Sequence, residues 1–151
     1  MAVVITKNPA YWAPGHFIVP DQPDKPLVFK FKARFKRLNE EERKALDQRI
    51  HAGREYVRAL SRALLENQPA PPQPTDQITD KEVLDLVLVD WDGFKNDDGS
   101  VAIYTPAARA QVVFDNPGLE GAFVRAYLES RDVSQDLAAA EKNSEALPAT
   151  A

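Results

Sequence analysis

Few residues in this chain carry reactive chemistry. Asp90 and Asp92 stand two apart at the head of an acidic stretch that continues through Asn96, Asp97 and Asp98. Clustered oxygen donors suit calcium, and an EF-hand loop wants oxygen ligands at positions 1, 3 and 5, glycine at 6 and glutamate at 12. Counted from Asp90, position 5 is Phe94 and position 6 is Lys95; counted from Asn96, glycine falls at position 4 and position 12 is Ala107. Both frames fail, so the stretch reads as a turn. His16 and His51 have no metal-ligand spacing around them. Cysteine is absent, which excludes disulfides, thiolate metal sites and cysteine nucleophiles. No glycine-rich phosphate loop and no nucleophile elbow is present. The Asp90/Asp92 pair has neither nucleophile nor base beside it. The expectation is a protein that is not an enzyme and uses no cofactor or metal.

The acidic turn sits inside the stretch that organises the chain, Ile78 to Ile103. Thr79 can cap a helix, and Glu82 is placed to reach back to the cap amide. Val83, Leu84, Val87 and Leu88 then share one helical face. The spacing predicts a helix ending near Trp91-Asp92-Gly93, where glycine suits a left-handed cap. Asn96-Asp97-Asp98-Gly99 reads as a second, hairpin-type turn. Trp91 and Phe94 straddle Gly93 and would pin the turn to a core.

At 151 residues, with 44% hydrophobic and 28% charged side chains, the composition is that of a globular domain. No apolar run reaches the length of a membrane span, and the first residues lack the pattern of a signal peptide, so the expected location is cytoplasmic and no membrane partner is expected. Charge is polarised: residues 1–75 carry 13 basic and 8 acidic side chains, residues 76–151 carry 6 and 15. Such halves attract each other or a partner of opposite pattern.

The elements that would hold these features follow in order. Residues 1–26, rich in proline with Pro9, Pro14, Pro20, Pro23 and Pro26, read as an irregular arm, with a short strand at Phe17-Ile18-Val19. Tyr11 and Trp12 either tuck under the domain or mark a contact site. Residues 27–37 alternate: Leu27, Phe29, Phe31, Ala33 and Phe35 face one way, and Val28, Lys30, Lys32, Arg34 and Lys36 the other. That is a half-buried strand with a basic outer row, able to form a hairpin with residues 16–19. The row reads as a guard against edge pairing rather than a nucleic-acid site, because no aromatics interleave on the charged face.

Asn39 caps a helix over 40–66 with Glu40, Glu41 and Glu42 in its first turn. Its apolar seam is Leu46, Ile50, Gly53, Val57, Leu60 and Leu64, and glycine on the seam suggests close approach by another element. Residues 67–77 form a proline-rich linker. After the central stretch, Val101–Tyr104 reads as a short strand or extended segment. Thr105-Pro106 opens a helix carrying Ala110, Val113 and Phe114 inward. Asn116-Pro117 repeats the start signal for a last helix with Leu119, Phe123, Val124, Tyr127 and Leu128 on its apolar face. Residues 132–151 read as a disordered tail. The fold class is α+β and mostly helical: an N-terminal hairpin or strand, four to five helices and one short hairpin turn. Residues 27–131 would form a single domain containing the linker.

This layout resembles the tail assembly chaperones of long-tailed, non-contractile bacteriophages and their prophages. The resemblance runs from about residue 16 to 143 and rests on features in order. They are the alternating strand FKFKARFKRL, the helix opened by NEEE, and V-x-W-D-G-F at Val89–Phe94. A Thr-Pro helix start, an Asn-Pro step, AFVRAYLE at Ala122–Glu129 and EKN at Glu141–Asn143 follow. The long linker, the extra DDG turn and the SEALPATA ending depart from the pattern. The resemblance implies a non-catalytic chaperone in the host cytoplasm. It would bind the tape measure protein and help recruit tail tube subunits, with a homo-oligomer left open. A frameshifted longer product is common in that family. Val57, Leu60 and Leu64, with Trp91 and Phe94, are the candidate partner contacts; core packing is the competing role for each. The rival functions are a small nucleic-acid binder using Lys30, Lys32, Arg34 and Lys36, and a structural component of the tail.

Overall fold

The strict alternation of residues 27–35 builds the strand at the centre of the structure, a computed structural model that describes residues 10–22 and 24–135. Strands β1 (Tyr11–Gln22), β2 (Lys25–Phe35) and β3 (Leu88–Asp92) form an antiparallel sheet in the order β1-β2-β3. Four helices accompany it: α1 (Glu40–Leu65), α2 (Asp80–Val87), α3 (Pro106–Asp115) and α4 (Leu119–Gln135). The fold is mixed α+β. The described residues form two compact units. A sheet unit comprises 10–35 with 88 onward, and a helical unit comprises 36–87. The division therefore falls at the two ends of the α1–α2 segment, and the proline-rich linker lies inside the helical unit.

In the sheet unit, Tyr11, Ala13, Gly15, Phe17 and Val19 of β1 pair with Phe35, Ala33, Phe31, Phe29 and Leu27 of β2. Directly paired residues share a face, and this is the inner one, where Ala13, Phe31, Ala33 and Phe35 are buried. The expected irregular arm is corrected here: from Tyr11 to Gln22 the chain is one strand despite Pro14 and Pro20. β1 is an edge strand, where proline is tolerated, and Pro20 falls at the irregularity between Val19 and Gln22, outside the paired register. His16 turns its carbonyl to the Arg125 guanidinium, 3.2 Å away. Gly15 is required where it is, since a Cβ there would run into the Phe31 ring. What the sequence predicts for residues 1–9 and 23 lies outside the described residues.

α4 covers the inner face with Leu119, Ala122, Phe123, Ala126 and Tyr127. Phe123 meets Phe31 at 4.8 Å between ring centroids, and Tyr127 meets Phe35 edge-on at 5.2 Å. The Tyr11 hydroxyl lies 2.9 Å from Ser130 Oγ. α4 continues through Gln135, so the first residues of the expected tail are helical, and the rest lie outside the described residues. Asn116 closes α3 rather than opening α4: its side chain donates to the Val112 carbonyl at 2.9 Å. α3 itself starts as expected, with Thr105 accepting from the Ala108 amide and Pro106 in the first turn. Its expected inner face is corrected. Ala110 and Phe114 are exposed, and Arg109 is buried, donating to the Tyr104 hydroxyl at 3.0 Å. A buried guanidinium with a partner at hand outcompetes a phenyl group that nothing covers.

In the helical unit, α1 opens with the full capping box: Asn39 accepts from the Glu42 amide at 2.8 Å and Glu42 accepts from the Asn39 amide at 3.3 Å. Gln77 of the linker lies over Gly53, 3.4 Å from where a Cβ would stand, which is the close approach the glycine suggested. Arg49 donates to the Asp76 carbonyl and pairs with Glu82 at 2.8 Å. Thr79 accepts from the Glu82 amide, and the Glu82 carboxylate takes the Thr79 hydroxyl, with the Thr79 backbone also acting on it. α2 stops at Val87, four residues before the predicted end. Four of the next five residues pair with β2, Ala33 opposite Trp91 and Arg34 opposite Asp90 among them, with Val89 at a register shift, and a sheet ladder displaces the last helical turn.

Candidate functional site

The candidates for chemistry are not brought together. His16 is exposed on β1 and His51 is exposed on α1, in different units. Among the described residues no group of three or more histidine, aspartate or glutamate side chains is placed to hold a metal ion. The Asn96–Ser100 turn uses its oxygens internally. Ser100 donates both its amide and its hydroxyl to Asp98, and these bonds hold the Asp98 carboxyl below its ordinary range. Gly99 has φ +86 and Gly93 φ +101, as the turn signals require. At Gly93 a side chain would be strained by that backbone angle and would also press on the Lys30 carbonyl, 3.3 Å from the Cβ position.

Trp91 and Phe94 are buried. Their rings meet at 4.6 Å, and both lie against Phe123. Trp91 Nε1 donates to the Ala102 carbonyl at 2.8 Å. Most of their surface is committed to the core: Trp91 leaves the set of contact candidates, and Phe94 keeps only the part that lines a groove beside the hairpin. Of the two forms expected at Val101–Tyr104, the structure has the extended segment rather than a strand, with a single bridge from Val101 to Lys95.

Val57, Leu60 and Leu64 divide differently. Leu60 is half-buried, but Val57 is 56% exposed, Leu64 73% and the adjoining Leu65 86%. The apolar seam keeps one angle along α1, since Leu46 and Leu64 are about five full turns apart. The covered face does not keep it. Cover begins at Leu46 and, near the far end, has moved to Ala63, about 100° round the helix from Leu64. The seam of the last three turns is left open to solvent.

A second open apolar surface lies wholly in the sheet unit, and sequence reasoning did not find it. β1 spans 12 residues, about 40 Å, while the 17 residues of α4 span about 25 Å. α4 begins beside Phe17, next to Gly118, and so leaves the hairpin's outer end uncovered. A groove of about 660 Å³ results, with Phe17, Val19, Phe29, Phe94, Val112 and Leu119 as its apolar lining and Lys95, Asp97, Asp115 and Asn116 as its polar lining. Leu27 and Phe29 are exposed on its side of the hairpin, and Ile18 and Val28 on the other. The signal available in the sequence was the apolar run at both hairpin arms, which one short helix cannot cover.

The outer face of the sheet carries the basic row. Trp12 is paired with Arg34, Pro14 with Lys32 and His16 with Lys30. Trp12 is 47% exposed, and the Arg34 guanidinium stands 6.0 Å from its ring centre. The row therefore does have aromatic neighbours, contributed by β1 and invisible within the 27–37 segment. On its other flank, Asp92 is paired with Lys32 and Asp90 with Arg34.

No protein-family model, curated protein or solved structure matches this chain. Among the described residues no helix is long and apolar enough to cross a membrane.

Proposed function

We propose that this protein is a non-catalytic assembly chaperone of the long-tailed phage type, acting in the host cytoplasm before a tail is complete. It holds apolar helical segments of the tape measure protein and helps bring tail tube subunits to them. The observation that carries the reading is apolar surface left open in both units: Val57, Leu64 and Leu65 along the end of α1, and the hairpin groove. Such surfaces on a soluble chain mark interaction sites. An open helical seam and an apolar groove suit amphipathic helices presented by a long helical client. The ordered motifs described above, Val89–Phe94 and Ala122–Glu129 foremost, support the same assignment.

Co-expression with the tape measure protein, followed by pull-down and a solubility assay, tests it. A client insoluble alone is expected to become soluble in complex. Val57→Ser with Leu64→Ser is expected to weaken capture about tenfold or more while shifting stability by less than about 0.5 kcal/mol, since neither side chain is buried. No complex and no gain in client solubility overturns the reading.

A further inference from the structure

The outer face of the sheet is open, and its charges are ordered in columns. Lys30, Lys32 and Arg34 run down β2; Asp92 and Asp90 run down β3 at the levels of Lys32 and Arg34. Arg34, Lys32 and Asp92 are exposed and Asp90 is half-buried. Among the described residues no ion pair joins Lys32 to Asp92 or Arg34 to Asp90 within the chain. A column of cations beside a column of anions, matched level for level, is self-complementary.

We propose that a second copy of this chain docks on this face, sheet against sheet, about a two-fold axis running parallel to the strands between β2 and β3. Such an axis keeps each residue at its own level along the strand and exchanges the two columns. Lys32 then faces the partner's Asp92, and Arg34 faces the partner's Asp90. Strands lie about 4.8 Å apart, so each column stands only about 2.4 Å from the axis, and the usual crossing angle of about 30° between packed sheets displaces it little. Sheets pack about 10 Å apart, a gap that lysine or arginine opposite aspartate can span. An axis centred on β2 would instead set cation on cation, so the registry selects one arrangement. Isologous contact of this kind uses the same patch on both copies. Trp12 and Pro14, exposed on the same face, add apolar area beside the charged columns. A nucleic acid suits the face less well, because Asp90 and Asp92 would lie beside every phosphate track laid along the cations. This inference is independent of the chaperone reading.

The test is sedimentation of the full chain at low and high salt. The wild-type chain is expected to dimerise at micromolar concentration, with the dimer weakening as salt screens the pairs. Lys32→Asp sets two aspartates against each other at both symmetric contacts and is expected to raise the dissociation constant at least about tenfold; Asp92→Lys does the same with two lysines. An equimolar mixture of the two single variants is expected to recover the dimer as a heterodimer, and the double swap K32D/D92K to recover a homodimer. Recovery excludes misfolding as the cause of either loss. A wild-type monomer at high micromolar concentration and low salt overturns the proposal. So does a dimer indifferent to both single variants. A wild-type monomer that binds single-stranded oligonucleotide, with binding abolished by Lys32→Asp and not recovered on mixing, assigns the face to nucleic acid instead.

Discussion

The two units hold their shape by different means. In the sheet unit, Phe31, Trp91, Phe94 and Phe123 bring ring centroids within 4.6 to 6.3 Å of one another, and Phe123 is fully enclosed. Between residues 36 and 87 the helical unit has one aromatic residue, Tyr56; its buried side chains are aliphatic, Val83, Leu84 and Val87 of α2 with only Leu46 and Ala63 along the 26 residues of α1. Caps and polar ties add to that small core: the Asn39–Glu42 box, Arg49 to Glu82 and Asp76, and the i,i+4 pairs Lys44–Glu40 and Lys81–Asp85. Burying an aromatic ring contributes several kcal/mol, whereas an exposed ion pair contributes about 0–1 kcal/mol. The contrast teaches where adaptability lies. A unit with a small aliphatic core and exposed ties can leave a seam open for a partner, while a unit with a ring cluster serves as the rigid frame.

Three measurements would break or sharpen this contrast. The largest effect is expected from Phe123→Ala, which removes a ring touching Phe31, Trp91 and Phe94 and leaves a cavity. The expected loss is about 3–5 kcal/mol in urea unfolding, accompanied by collapse of the near-ultraviolet aromatic signal. A loss below about 1 kcal/mol would mean the ring cluster is not what orders the sheet unit. A smaller effect is expected from Asn39→Ala, which removes the cap at one end of α1: about 1 kcal/mol, read as faster hydrogen exchange in the first turns. Unchanged exchange there would show that α1 owes its start to something other than its box.

The smallest effect is in acid. Arg49 first, and then Thr79, hold the Glu82 carboxyl below its ordinary value of 4.5 by hydrogen bonding. A depressed carboxylate pKa contributes stability that is fully present above the unfolded value and is lost as pH falls through the folded one. The helical unit should therefore loosen slightly below about pH 4.5, and Glu82→Gln should remove that part of the pH dependence. A Glu82 titration by NMR with its midpoint at or above 4.5 would show the tie to Arg49 to be absent in solution.

Much of the local structure was legible because its causes are local. Asn39, Thr105-Pro106, Gly93 and Gly99 each act on the backbone within a few residues, and each does what its type predicts. The candidate site was legible in part. The seam of α1 could be read, but whether Val57 and Leu64 were covered could not, since cover comes from residues distant in sequence. Trp91 and Phe94 carried the same ambiguity and resolved the other way. The groove was missed because it arises from a mismatch in length between a long hairpin and one short helix.

The helix starts, the tight turns, the two-faced β2 and the poverty of reactive groups are all written in the residues themselves. These follow from propensities and hydrogen bonds that adjacent residues make with their own backbone. Only the tertiary structure decided that Leu88–Asp92 is a strand, that Pro14 and Pro20 are harmless on an edge, and that Arg109 rather than Phe114 turns inward. It also set Trp12, Lys32 and Asp92 side by side on one face. Each of these depends on pairing or burial between segments far apart in the chain, where several kcal/mol of packing override local preferences of about 1 kcal/mol.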